Sequence, residues 1–148
     1  MDSGEILFEE VENKVEEPLE DSTDTVIVLT TGKSDRGVRA TLAFGWACTA
    51  LALGKNVSMY LTMEGTVWAM QKSAKSVKVE GFEPLQEYID QFIELGGKIL
   101  VCAPCSEYYC SLPQSNDESN YNLIPQAKLS GLSTVVSKVT SQTNVISF

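Results

Sequence analysis

Residues Lys98 to Cys110 read K-I-L-V-C-A-P-C-S-E-Y-Y-C. Ile99, Leu100 and Val101 form a short continuous apolar run, the pattern of a strand buried on both faces of a parallel sheet. Cys102 falls on the last strand residue, and Ala103-Pro104 turns the chain out of it. Proline cannot continue a central strand, but its fixed φ suits the first turn of a helix, so Cys105 is expected near a helix N-terminus. Two thiols are thereby placed at a strand-to-helix junction, where unpaired backbone N–H groups and the positive helix end favour a thiolate.

Upstream, Thr25 to Thr30 (T-V-I-V-L-T) is rich in β-branched residues and reads as the first strand. Thr31-Gly32-Lys33-Ser34 makes a turn, and Ser34 or Asp35 can cap a helix running to about Leu53, before Gly54. Val38, Leu42, Trp46, Ala50 and Leu53 carry its helical spacing, while Ala40, Ala43, Gly45, Ala47 and Ala52 make much of its surface small, so close packing on the sheet is expected. Asn56 to Met63 is a second strand ended by Glu64-Gly65, and Thr66 to Gln71 suggests a short helical turn. Lys72, Lys75 and Lys78 read as a solvated face or a cationic rim. Glu83-Pro84 opens a helix with the stripe Leu85, Tyr88, Ile89, Phe92 and Leu95, closed by Gly96-Gly97.

Downstream, Ser111 to Asn122 is polar and turn-rich, a surface loop. Ile124 to Leu129 suggests a short strand, Gly131 to about Thr140 a helix, and Asn144 to Phe148 a last strand. Alternating strands and short-turn-linked helices predict an α/β fold: a single layered domain over residues 25–148, with a mostly parallel sheet of about five strands flanked by helices.

Residues 1–24 hold ten acids and one base, Lys14, which accounts for the whole formal charge of -9; the other 124 residues carry ten acids and ten bases. The acidity belongs to an N-terminal arm, in which Leu7, Val11 and Val15 recur at i, i+4 and i+8 within an otherwise solvated stretch. No basic surplus remains for nucleic acid. The N-terminus lacks the succession of a signal peptide and no apolar run is long enough to span a bilayer, so a cytoplasmic location is expected. In a reducing compartment the four cysteines do not suggest a disulfide framework, and C-x-x-C points to redox, sulfur or metal chemistry. The absence of histidine removes Ser-His-Asp and Cys-His catalysis and every histidine-containing zinc site.

In parallel sheets ligands bind beyond the C-terminal strand ends. Three segments converge there: Thr30 to Arg36, Met63 to Thr66, and Cys102 to Cys110. Gly32-Lys33-Ser34 resembles the end of a Walker motif, but the earlier glycine that motif needs is replaced by Ile27. What survives is a glycine turn at a helix start that could hold a small anion with Lys33 and Arg36, or simply reverse the chain. Glu64, Gly65 and Ser106 are candidate ligand-binding positions on the same edge. Cys102, Cys105 and Cys110 supply three metal ligands and lack a fourth of the usual kind, so neither a metal nor a resident cofactor is expected. Two readings of Cys102 and Cys105 remain, buried packing residues or reactive thiols, with Cys110 as an accessory thiol and Cys48 a packing residue.

The helix starting R-G at Arg36-Gly37, the strand ending M-E-G at Met63 to Gly65, G-F-E-P-L before a helix, and I-L-V-C-A-P-C together resemble the DsrE/DsrF/TusD family of sulfur-transfer proteins over about residues 25–148. The resemblance implies that the cysteine at position 102 carries a persulfide and passes sulfur to a partner, and that the protein assembles as a homo-oligomer, a trimer or hexamer. After Cys105 the chain departs from many relatives, with Glu107-Tyr108-Tyr109-Cys110 in place of a small or basic run ending in glycine.

Three functions follow as expectations. The first is an intracellular sulfur carrier or sulfurtransferase, in which the Cys102 thiolate takes the terminal sulfur of a donor persulfide or thiosulfonate and releases it to an acceptor protein or small thiol, with Cys105 resolving the persulfide or serving as a second acceptor. Lys33, Arg36 and backbone N–H groups near Ser106 would stabilise the anion. The second is a regulatory module binding a small anion or a nucleotide-like ligand. The third is a dithiol oxidoreductase, favoured by C-x-x-C, although that motif usually follows an early strand.

Overall fold

The computed structural model describes residues 24–109 and 122–148. The expected acidic arm lies outside them except for Asp24, as do Cys110 and nearly all of the expected polar loop. Five strands form one parallel sheet: β1 (Asp24–Leu29), β2 (Asn56–Leu61), β3 (Lys98–Cys102), β4 (Ala127–Ser130) and β5 (Asn144–Ser147). Their spatial order is β4-β3-β2-β1-β5. The helices are α1 (Val38–Ala52), α2 (Leu85–Glu94), α3 (Ala103–Tyr109) and α4 (Leu132–Ser137), with 3₁₀ segments at Lys33–Asp35 and Met63–Ala69. The α/β architecture agrees with the sequence reading, and the sheet is parallel throughout.

The period-two alternation of the strands separates two apolar layers. Ile27 and Leu29, Val57, Met59 and Leu61, and Ile99 and Val101 face one side, where α1, α2 and the Met63–Ala69 segment cover them. Phe44 of α1 meets Phe92 of α2 edge to face, ring centres 5.7 Å apart. The other side carries Val26, Tyr60, Leu100 and Cys102, and Val135 of α4 packs there. The first two crossovers thus put their helices on one face, and the helix coverage changes sides after β3. The thiols lie at that change.

The packing of α1 inverts the simplest reading of its stripe. Ala40, Ala43, Phe44, Ala47 and Cys48 are buried, whereas Val38, Leu42, Trp46 and Leu53 are among the exposed large apolar residues. Small side chains let the helix axis approach the sheet, and the large ones are left outside. Asp35 caps the helix start: its carboxylate accepts from the backbone N–H of Gly37 and Arg39 at 3.0 and 2.9 Å. Trp68 is a core residue whose indole N–H donates to the Thr31 carbonyl at 2.9 Å.

Candidate functional site

The β3 register fixes the site. Cys102 is the last residue of β3, opposite Ser130 of β4, and α3 begins at the next residue. Because Leu100 pairs with Tyr60, the same sheet face presents Tyr60 and then Thr62 beside Cys102 on the β2 side. Cys105, one helical turn on, folds back so that its sulfur lies 2.9 Å from that of Cys102. Thr62 Oγ1 is 3.5 Å from the Cys105 sulfur. A dithiol and two hydroxyls therefore share one corner of the sheet.

Cys102 is 5 % exposed and Cys105 is half-buried, so the second thiol is the more accessible one. Burial alone would hold the Cys102 proton on. The Cys105 thiol, the Tyr60 hydroxyl, the Cys105 backbone N–H and the Thr62 hydroxyl act against it, and together they leave the Cys102 thiol below its ordinary value. These groups are neutral hydrogen-bond donors, and no cation is among them. Cys48 behaves in the opposite way. Its thiol donates to the Tyr88 carbonyl at 3.2 Å, and burial pushes it up to about 11, the behaviour of a packing residue.

The other predicted positions divide between two loops. Gly32 is buried against the backbone of Glu64, whose carbonyl oxygen would lie 2.6 Å from any Cβ placed there. A Cβ on Gly65 would run into the Leu29 carbonyl oxygen. The Gly65 N–H is already engaged by the Thr30 and Thr62 carbonyls at 3.1 and 2.9 Å, so these two glycines clamp the loops against β1 and β2. Glu64 is exposed and accepts from Ser34 Oγ at 3.0 Å, a second tie between the loops. Lys33 and Arg36 are exposed, and neither is among the groups that set the ionisation of Cys102. Ser106 is buried, and its hydroxyl donates to the Ala103 carbonyl at 2.7 Å, which holds the first turn of α3 closed.

Tyr60 and Thr62 were not singled out from sequence. The signal exists in β2 as alternation: Val57, Met59 and Leu61 face the larger core, and the intervening Ser58, Tyr60 and Thr62 must share the face that Cys102 occupies. Among the described residues no group of three or more histidine, cysteine, aspartate or glutamate side chains converges in a way that could hold a metal ion. No helix among them is long and apolar enough to cross a membrane.

Two solved structures share the fold. The ychN protein from E. coli superposes with a TM-score of 0.63 at 11% identity, covering 84% of this chain and 98% of its own. A conserved protein of unknown function from Bacteroides thetaiotaomicron, BT1422, gives 0.53 at 14% identity, covering 86% and 97%. No curated protein matches the sequence. The model of the DsrE/DsrF-like family matches residues 24–148, from the first residue of β1 to the chain end, and the protein belongs to that family.

Proposed function

We propose that the protein is a sulfur carrier or sulfurtransferase that loads sulfur on Cys102 as a persulfide and passes it to a partner thiol. The observation that carries this reading is the pair of sulfurs 2.9 Å apart at the carboxyl end of β3, with ionisation of the inner one favoured by its neighbours. Membership of a family associated with sulfur transfer supports it. The thiolate of Cys102 attacks the terminal sulfur of a donor persulfide R–S–SH. A Cys102 S–S bond forms, the bond from R–S to that sulfur breaks, and the donor leaves as R–S⁻. Delivery reverses the bond changes on an acceptor thiolate, so the sulfur moves with no net oxidation. Cys105 is suited to take the sulfur next, since it is the nearer and more accessible thiol. Lys33 and Arg36, exposed on the adjoining loop, would draw an anionic donor toward this edge.

The experiment is mass spectrometry of the full chain after incubation with a persulfide donor, with peptide mapping. An added sulfur atom on Cys102 or Cys105 is expected, and loading on neither thiol would overturn the reading. The 2.9 Å separation also favours a second reading, reversible dithiol oxidation. Disulfide cycling with no sulfur loading would select it. Assembly as a trimer or hexamer belongs to the same proposal and is supported by the exposed apolar side chains of α1. Sedimentation of the full chain tests it.

A further inference from the structure

Tyr60 is 2 % exposed, and its hydroxyl makes no hydrogen bond with any described residue. A buried hydroxyl left without a partner is unfavourable, and most such groups are satisfied. Its surroundings on the smaller sheet face are the apolar Val26, Leu100 and Val135 and the buried Cys102, with Val28 and Cys105 packed against them. Among the described residues the groups there that change from poor acceptors to strong ones are the two sulfurs, because a thiol accepts weakly and a thiolate strongly, and Cys102 is the one buried in the same cluster as Tyr60.

We infer that Tyr60 is the donor that receives the charged Cys102 sulfur, its hydroxyl waiting unpartnered beside the neutral thiol and donating once that sulfur becomes an anion. The inference rests on Cys102 being the sulfur acceptor, and adds the group that makes it a good nucleophile and a good leaving group. When Cys102 attacks the donor persulfide, the hydroxyl holds the thiolate that precedes bond formation. When an acceptor thiolate takes the terminal sulfur, the Cys102 S–S bond breaks, the electron pair returns to Cys102, and the same hydroxyl receives it. The Tyr60 proton stays on oxygen throughout. A donor fixed where charge develops lowers the barrier without reorganising at the moment of reaction.

The surroundings favour this role. Burial first, and then the neighbouring Cys102, push the Tyr60 hydroxyl up to about 12, so it stays protonated and able to donate. Among the described residues, Cys105 of α3 is the other titratable group facing Cys102. β4 brings Ser130 opposite it, with its hydroxyl donating to the Lys128 carbonyl, and α4 brings Val135; neither ionises. Thr62, the residue after β2, sets its hydroxyl 3.5 Å from the Cys105 sulfur, so each sulfur has a hydroxyl beside it.

The test is the pH profile of Cys102 alkylation by iodoacetamide in the full chain, read by peptide mapping, for wild type and Tyr60→Phe. Phenylalanine keeps the ring and removes only the donor. The midpoint is expected to move to higher pH, and the rate at neutral pH to fall about tenfold, the size of one hydrogen bond to a charged sulfur. An unchanged midpoint in a variant that melts like wild type would overturn the inference. On wild type itself, the Tyr60 ring carbon bearing the hydroxyl, observed by NMR, should shift as Cys102 titrates; a resonance indifferent to that titration would equally overturn it. Alkylation needs no sulfur donor. Failure to load sulfur with the Tyr60 effect intact would therefore remove the sulfur-transfer reading alone.

Discussion

Thr62, the residue after β2, and Cys105 of α3, 43 positions apart in the chain, hold a hydroxyl oxygen and a sulfur 3.5 Å from one another. That contact fixes the rotation of the outer thiol toward the inner one and makes the pair asymmetric. Cys102 is buried with its charge supported, and Cys105 is half-open with a neutral partner.

Cys102→Ser should abolish stable sulfur loading. Cys105→Ser should retain loading on Cys102 but slow it, since a directed contact to the thiolate is altered. Quantitative mass spectrometry over a time course separates the two. Equal loss in both variants would mean that the thiols act only as a couple.

Cys105→Ala should raise the Cys102 thiol toward its ordinary value, because the Cys105 side chain is the largest of the influences favouring the ionised form. The alkylation rate of Cys102 near neutral pH should then fall, and stopped-flow alkylation checks it. An unchanged rate would assign the support to the hydroxyls alone.

Cys48 gives a pH dependence of stability of known sign. Its folded value is about 11 against an ordinary 9.0, so the folded state keeps a proton that the unfolded chain releases. Its contribution is fully present below pH 9.0 and is lost as pH rises to about 11. Cys102 works oppositely, adding stability above the unfolded thiol value that is lost as pH falls through its lowered folded value. Denaturant melts of wild type and Cys48→Ala across pH 8 to 11 should converge as pH rises. Parallel curves would show that the buried thiol does not titrate this way.

Gly65→Ala should destabilise by about 3 kcal/mol or prevent folding, because the new methyl group meets the rigid Leu29 carbonyl. Phe92→Ala should cost about 3–5 kcal/mol through the cavity opened against Phe44. Chemical denaturation measures both. A Gly65→Ala protein of wild-type stability would mean that the loop clamp can relax.

Much of this was legible in the sequence because it is local. β-branched and apolar runs mark β1 and β3, and proline after Cys102 marks the strand end, so both thiols were placed before any contact was known. Two things were not local. The stripe Val38, Leu42 and Trp46 has helical period, but period gives no direction, and the tighter fit of alanines to a sheet decided which side faced in. Tyr60 and Thr62 reach the thiols only through strand pairing, which depends on register across residues far apart in the chain.

The alanine underside of α1 also bears on mutational tolerance. With methyl groups as the only spacers at Ala40, Ala43 and Ala47, a branched residue at any of them would lift the helix and disturb the Lys33–Asp35 turn that Ser34 ties to Glu64. The outer positions 38, 42 and 46 are free of that spacing limit, and their apolar character answers to the proposed assembly instead.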